Sequence, residues 1–262
     1  MNADLNARVM LDTEAMAWLA TDDTRGGCKL LERVDTGDAQ ATSVVRCAPG
    51  CVLEPPGQGL GEEILVLEGT LAEGRAGYSA GAYLRYPPGA PRTLRTDQGC
   101  VLFIKRYPFE PEDVAVVRID TAKTPWFPGL VSGLSVMPLH QCQHEHAALV
   151  RWQPETYFQQ HAHFGGEEIL VLSGVFEDEY GRYPTGTWIR SPHMSRHQPF
   201  SRTGCTIFVK TGHLPGDGSS ACLIAFRVQG THFSWRAGSQ AVSRKQIRPS
   251  QGWLRWPVLR SR

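Results

Sequence analysis

One phrase in this chain occurs twice. Gly61-Glu62-Glu63-Ile64-Leu65-Val66-Leu67-Glu68-Gly69 recurs as Gly166-Glu167-Glu168-Ile169-Leu170-Val171-Leu172-Ser173-Gly174, a displacement of 105 residues. The same displacement carries Arg46 to Arg151, Pro49 to Pro154, Tyr78 to Tyr183, Gly81 to Gly186, Arg85 to Arg190, Pro87 to Pro192, Cys100 to Cys205, Phe103 to Phe208 and Lys105 to Lys210. A displacement of 108 carries Asp12, Thr13 and Trp18 to Asp120, Thr121 and Trp126. The duplication runs from about residue 9 to residue 213, so whatever one copy folds into, the chain builds twice.

Each copy reads as β-strands. Ile169 to Leu172, Thr187 to Arg190 and Thr206 to Lys210 are short runs, β-branched or aromatic, bounded by Gly, Pro or Ser. Helical periodicity is hard to find, with a short stretch near Thr13 to Leu19 as the exception. Evenly spaced short strands with Gly and Pro turns predict an all-β sandwich or jelly-roll barrel, whose mouth is where ligands sit. The proline-rich, acidic segment Pro108 to Asp113 marks the join. The expected organisation is a first barrel over 1–109, a second over 110–213, and an extension over 214–262.

The second copy carries the chemistry. Side chains alternate faces along a strand, so His161, His163 and Glu167 share one face if no bulge intervenes. His197 follows downstream. Imidazole and carboxylate are ligand types accepted by Zn, Fe, Mn, Ni and Cu, and these four residues are the candidate metal ligands. The competing reading makes them polar residues at a barrel mouth, but a buried Glu167 then lacks compensation. Moving back 105 residues places Pro56, Gln58, Glu62 and Arg92 at the four positions. Proline has no side-chain donor atom and arginine is permanently cationic, so the first copy is a degenerate site without metal. An internal Arg92–Glu62 ion pair is expected where the ion would sit, with a small anion on Arg92 as the alternative.

These residues resemble the cupin superfamily, and within it the cupin half of the ChrR-like regulators. The first cupin motif is matched by His161, His163, Glu167 and Gly174, with Glu155 in place of its leading glycine. The second is matched by Gly186, Pro192 and His197, with Met194 where glycine is usual. The resemblance implies two tandem double-stranded β-helix (jelly-roll) barrels, a bicupin, with one divalent metal ion per chain: Fe, Zn, Mn or Ni. It also implies a function of one of three kinds. The first is a mononuclear non-haem metal oxidoreductase of dioxygenase type acting on a small organic molecule. The second is a ChrR-like, anti-sigma type transcriptional regulator or metal-dependent stress or ligand sensor, with a sigma factor as partner. That family's His-x-x-x-Cys-x-x-Cys zinc motif does not occur before Val45. The third is a zinc-stabilised binding module without turnover. A homodimer through sheet edges is implied as well, a need that tandem barrels can meet within one chain. No catalytic side chain is assigned.

Composition narrows the rest. Hydrophobic content of 41% with 20% charged residues fits a globular protein, and no apolar run approaches the ~20 residues that span a bilayer. With no export pattern among the first residues, a cytoplasmic protein is expected. Seven cysteines without regular spacing fit reduced thiols. Cys47 and Cys51 lack redox spacing, and Cys100 and Cys205 read as small core residues. From Leu214 onward eight basic residues face Asp217 alone, 8 − 1 = +7, leaving 1 − 7 = −6 for the remainder. Trp235, Trp253 and Trp256 lie among those basic residues, but nucleic-acid binding is not the expected role. His193, Arg196, Tyr157, Trp188 and Phe208 are candidates to line the substrate pocket. His140, His144 and His146 look like a second metal cluster, which the repeat assigns to a solvent-exposed edge.

Overall fold

The computed structural model describes residues 1–21, 26–34, 40–56 and 59–216. Gln58 and everything beyond Gly216, including the three tryptophans of the basic extension, lie outside the described residues. Those residues contain strands and turns and no helix, hence none long and apolar enough to cross a membrane. The stretch near Thr13 to Leu19 is a turn rather than a helix. Asp12 Oδ1 accepts the backbone N–H groups of Glu14 and Ala15 at 2.9 and 3.4 Å, an aspartate-capped turn that competes with helix formation.

The two copies build the same sheet. In the first, the order is Val117–Ile119, Tyr83–Tyr86, Gly61–Glu73, Cys100–Tyr107, Gln40–Cys47 and Gly27–Val34. In the second it is Val9–Asp12, Thr187–Ser191, Glu167–Asp178, Cys205–Thr211, Glu145–Trp152, Leu134–Cys142 and Phe127–Pro128. All pairings are antiparallel, and even the irregularities recur: the register shift between Val66 and Glu68 returns between Val171 and Ser173.

Each sheet begins with a strand from the other copy. Val9–Asp12 pairs with Thr187–Ser191, Met10 opposite Ile189, whereas Val117–Ile119 pairs with Tyr83–Tyr86, Arg118 opposite Leu84. The copies in sequence, 1–109 and 110–213, thus exchange their leading arms in space.

Alternation along the repeated phrase explains why it is buried on both faces. Ile64 and Val66 fill the first barrel's interior with Cys47, Leu84 and Leu102; Ile169 and Val171 fill the second's with Val150, Ile189 and Ile207. The intervening Leu65 and Leu170 enter a third core between the barrels, with Val44, Tyr83, Phe103, Leu149, Trp188 and Phe208. The two glutamates of each phrase divide likewise. Glu62 and Glu167 point inward, and Glu63 and Glu168 reach across, Lys210 Nζ lying 3.0 Å from Glu63 Oε2 and Lys105 Nζ 2.8 Å from Glu168 Oε2. The barrels therefore cover each other reciprocally within one chain.

Candidate metal centre

His161 and His163 lie on the short strand His161–His163, which pairs with Ser195–His197 so that His161 faces His197. The expectation of a single ligand-bearing strand is corrected here. After His163 the chain turns through Gly165 and Gly166, at φ +66° and +69°, before the strand Glu167–Asp178 begins. Only glycine fits there: a Cβ would meet Gly212 Cα at 2.6 Å from Gly165, and Ser191 O at 2.8 Å from Gly166. Tertiary folding rather than period-two alternation brings the candidate ligands together.

The convergence is tight. His163 Nε2 and His197 Nε2 are 3.0 Å apart, and Glu167 Oε2 lies 3.5 Å from each. Ligand atoms of His161, His163 and His197 all fall within 4.8 Å of one another. His163, Glu167 and His197 are buried, and His161 is half-buried.

The electrostatics favour lone-pair donors. Burial and the two neighbouring imidazoles push His163 down to about 2, so its ring is neutral near pH 7. Burial also lowers His161, partly offset by the Gln159 carbonyl 3.0 Å from its Nδ1. Burial raises Glu167. For His197, burial works downward but the Glu167 and Asp178 carboxylates prevail and raise it. Both Glu167 and His197 thus hold protons more readily than usual, Glu167 because of burial and His197 because of the carboxylates beside it. A divalent ion would compensate the buried carboxylate and compete with protons for these groups. Two histidines also have acceptors at Nδ1, Gln159 O for His161 and Asp178 Oδ2 at 3.5 Å for His197, which leaves Nε2 free to ligate. The residues fit a metal ion.

The first barrel differs at the same place. Arg92 Nη2 lies 2.5 Å from Glu62 Oε2, and Arg106 Nε 2.9 Å from Glu62 Oε1. Arg92 also donates to the carbonyls of Leu53 and Glu54 at 3.1 and 2.8 Å. With its guanidinium so engaged it has little left for a small anion. Pro56 is half-buried.

Of the pocket candidates, Trp188 and Phe208 are corrected: both face the core between the barrels, Trp188 fully buried and donating from Nε1 to Glu168 at 2.9 Å. Their strands turn Ile189, Ile207 and Val209 to the interior instead. Arg196 is exposed on the face opposite His197. Tyr157 is exposed and stacked on Phe200 at 5.5 Å. His193 accepts the Gly165 N–H at Nδ1, 2.9 Å away, and so braces the glycine turn. Sequence reasoning missed Asp178 and Arg8, and also Phe158 and Phe176, whose rings stand 5.1 Å from His161 and 6.2 Å from His197. The only signal was the register that carries Glu73 to Asp178.

His140 departs from the exposed edge assigned to it. Its side chain is buried, Nε2 lying 2.9 Å from Asp113 Oδ2, and Asp113, His140 and Glu145 cluster tightly enough to hold an ion. Cations already occupy that cluster. Arg85 Nη2 is 2.7 Å from Asp113 and from Glu145, and Lys210 Nζ is 2.6 Å from Glu145, so a metal would meet two positive charges. His144 is exposed and His146 half-buried. Cys47, Cys51, Cys100 and Cys205 are buried and not disulfide-bonded.

Comparison with known families agrees with the repeated barrel. The family described as the ChrR cupin-like domain matches residues 6–110 and again 114–215. The chain belongs to that family. No curated protein matches this sequence. Among solved structures, this tandem cupin is similar to Ylba from E. coli, with 15% identity, 82% of this chain and 94% of that one covered, and a TM-score of 0.64. It is similar to a variant of oxalate decarboxylase from Bacillus subtilis, with 12% identity, coverage of 78% and 76%, and a TM-score of 0.56. A cupin 2 conserved barrel protein from Leptotrichia buccalis gives 8%, 78%, 95% and 0.56. At these identities the likeness shows the fold: two cupin barrels in one chain.

Proposed function

We propose that the second cupin barrel binds one divalent metal ion through His161, His163, Glu167 and His197, and that the chain is a mononuclear non-haem metal oxidoreductase, dioxygenase-like, acting on a small organic molecule. The observation that carries this reading is the convergence of three imidazoles and a buried carboxylate that, among the described residues, forms no ion pair with an arginine or lysine, where the first barrel places Arg92 against Glu62. Those four residues would hold the ion; Fe or Mn bound there would supply Lewis acidity and redox chemistry, whereas Zn would supply Lewis acidity without redox chemistry.

The protein's own groups have separable roles. Glu167 offsets the positive charge, and the low affinity of His163 for protons keeps its lone pair available. Half-buried His161 is the most exposed of the four. The interior behind, lined by Ile169, Val171, Phe176, Ile189 and Val209, excludes water and strengthens every charge interaction at the centre. Tyr157 and His193 remain the side chains proposed to meet a substrate at the rim, whereas Arg196, on the face opposite His197, is not one of them.

A second reading is favoured by family membership itself: a ChrR-like regulator or sensor, with a sigma factor as partner, in which metal or ligand occupancy is the signal. One measurement separates the two. Protein purified without chelators is expected to carry about one metal ion per chain, lost in His163→Ala, and iron with substrate-dependent oxygen uptake supports the oxidoreductase. Stoichiometric zinc without oxygen uptake would favour the sensor, and metal content unchanged in His163→Ala would sink the site.

A further inference from the structure

We infer that the N-terminal arm completes the second barrel's metal site, with Asp178 and Arg8 as positioning residues for His197; this rests on the metal reading above and deepens it. His197 presents Nε2 to the centre, and its other ring nitrogen, Nδ1, faces Asp178 Oδ2 at 3.5 Å. That separation is long for a hydrogen bond, yet the carboxylate is held in place from every side. Its Oδ1 accepts from Tyr183 OH at 2.7 Å and from the backbone N–H groups of Tyr180 and Gly181 at 2.8 and 3.0 Å. Its Oδ2 lies 3.3 Å from Arg8 Nη2. Arg8 also donates to Tyr183 OH at 2.8 Å and lies over the Tyr180 ring, 4.8 Å from its centroid.

A carboxylate facing the outer nitrogen of a metal-binding histidine fixes the tautomer, directs the ring and raises its basicity. Asp178 is buried and closes the strand that Glu167 opens, so one strand supplies a ligand at one end and the partner of another ligand at the other. Arg8 comes from the first copy. It immediately precedes Val9–Asp12, the strand exchanged into the second sheet, so the copy without ligands of its own secures the site of the copy that has them.

The first barrel provides an internal control. Glu73 stands where the repeat places Asp178 and is held by Arg118 of the other exchanged arm, at 2.6 and 2.9 Å. Tyr86 OH donates to it at 3.1 Å. No imidazole occupies the corresponding place, so there the clamp only docks the arm. If Asp178 did no more, weakening either clamp would have the same effect.

The test uses the full chain and Zn²⁺ alone as probe, with affinity read by competition against a chromophoric chelator and metal-free thermal stability read in parallel. Asp178→Asn is expected to weaken Zn²⁺ binding about 10- to 100-fold, Arg8→Ala to weaken it in the same direction, and Glu73→Gln to leave it unchanged. Should Asp178→Asn misfold, the partly exposed Arg8→Ala decides by itself. Unchanged affinity in Asp178→Asn or in a folded Arg8→Ala would overturn the inference alone, as would an equal loss in Glu73→Gln. Absence of Zn²⁺ binding in the unaltered chain would overturn the metal site with it.

Discussion

Two residues occupy places where the cupin motifs use glycine, and both retain glycine's backbone. Glu155 has φ +57° and Met194 φ +60°, the left-handed region that costs a side-chain-bearing residue about 1–2 kcal/mol. Met194 is 48% exposed, so little packing is lost with its side chain. Met194→Gly is therefore expected to stabilise the protein by about 0.5–1 kcal/mol after the chain entropy of glycine is subtracted. An unchanged or lower urea midpoint would show that contacts of the methionine outweigh the strain. The four candidate ligands could be picked out in sequence because three histidines and a glutamate at those spacings have little other use. Asp178 and Arg8 were not, because their contact spans 170 residues and depends on the exchanged arm. Trp188 and Phe208 were misplaced for a different reason. Alternation separates two faces of a strand, but when both are covered by apolar side chains it does not say which is the interior.

The strands themselves were legible from turn residues and from the repeat, which reproduces order, register and bulge. The exchange of arms was not, although the change of displacement from 108 to 105 marks where each arm joins its barrel. The arm Val9–Asp12 supplies Thr187–Ser191 with a neighbour, and the residues before it satisfy a buried cation. Arg190 donates to the carbonyls of Asn2, Asp4 and Ala7 at 2.8, 2.6 and 3.3 Å and pairs with Glu32. Removal of residues 1–12 is expected to cost several kcal/mol, because it uncovers a sheet edge and strips partners from a buried charge. Hydrogen exchange gives the sharper measurement. Amides of Thr187–Ser191 should lose protection while those of Tyr83–Tyr86, covered by the other arm, keep theirs. Uniform loss over both would mean that the arm supports the whole chain rather than one edge.

At the scale of the molecule the repeat is not symmetric where the barrels meet. Glu145 has Gln40 at the equivalent position in the first copy, and on the other side of the interface the corresponding cations, Arg190 and Lys105, pair instead with Glu32 from a different strand. Glu145 Oε1 accepts from Tyr107 OH at 2.7 Å and lies 2.6 and 2.7 Å from Lys210 and Arg85. Burial works to raise this carboxyl's pKa, but Lys210 and Arg85 outweigh it and hold the group well below the usual carboxylate range. The sign of the pH effect follows. In the unfolded chain a glutamate takes up its proton near pH 4.3, and below that pH the unfolded state binds a proton that the folded state refuses. The contribution of Glu145 is then complete above the unfolded value and declines as pH falls toward the depressed folded one. Urea midpoints should therefore drop between about pH 5 and pH 3, and drop less steeply in Glu145→Gln, whose amide does not titrate. The substitution lowers stability at pH 7 as well, by leaving Arg85 and Lys210 short of a counter-charge, so the informative quantity is the slope rather than the level. Equal slopes in the two proteins would place the acid sensitivity in other carboxylates and remove Glu145 as the charge that ties the barrels together.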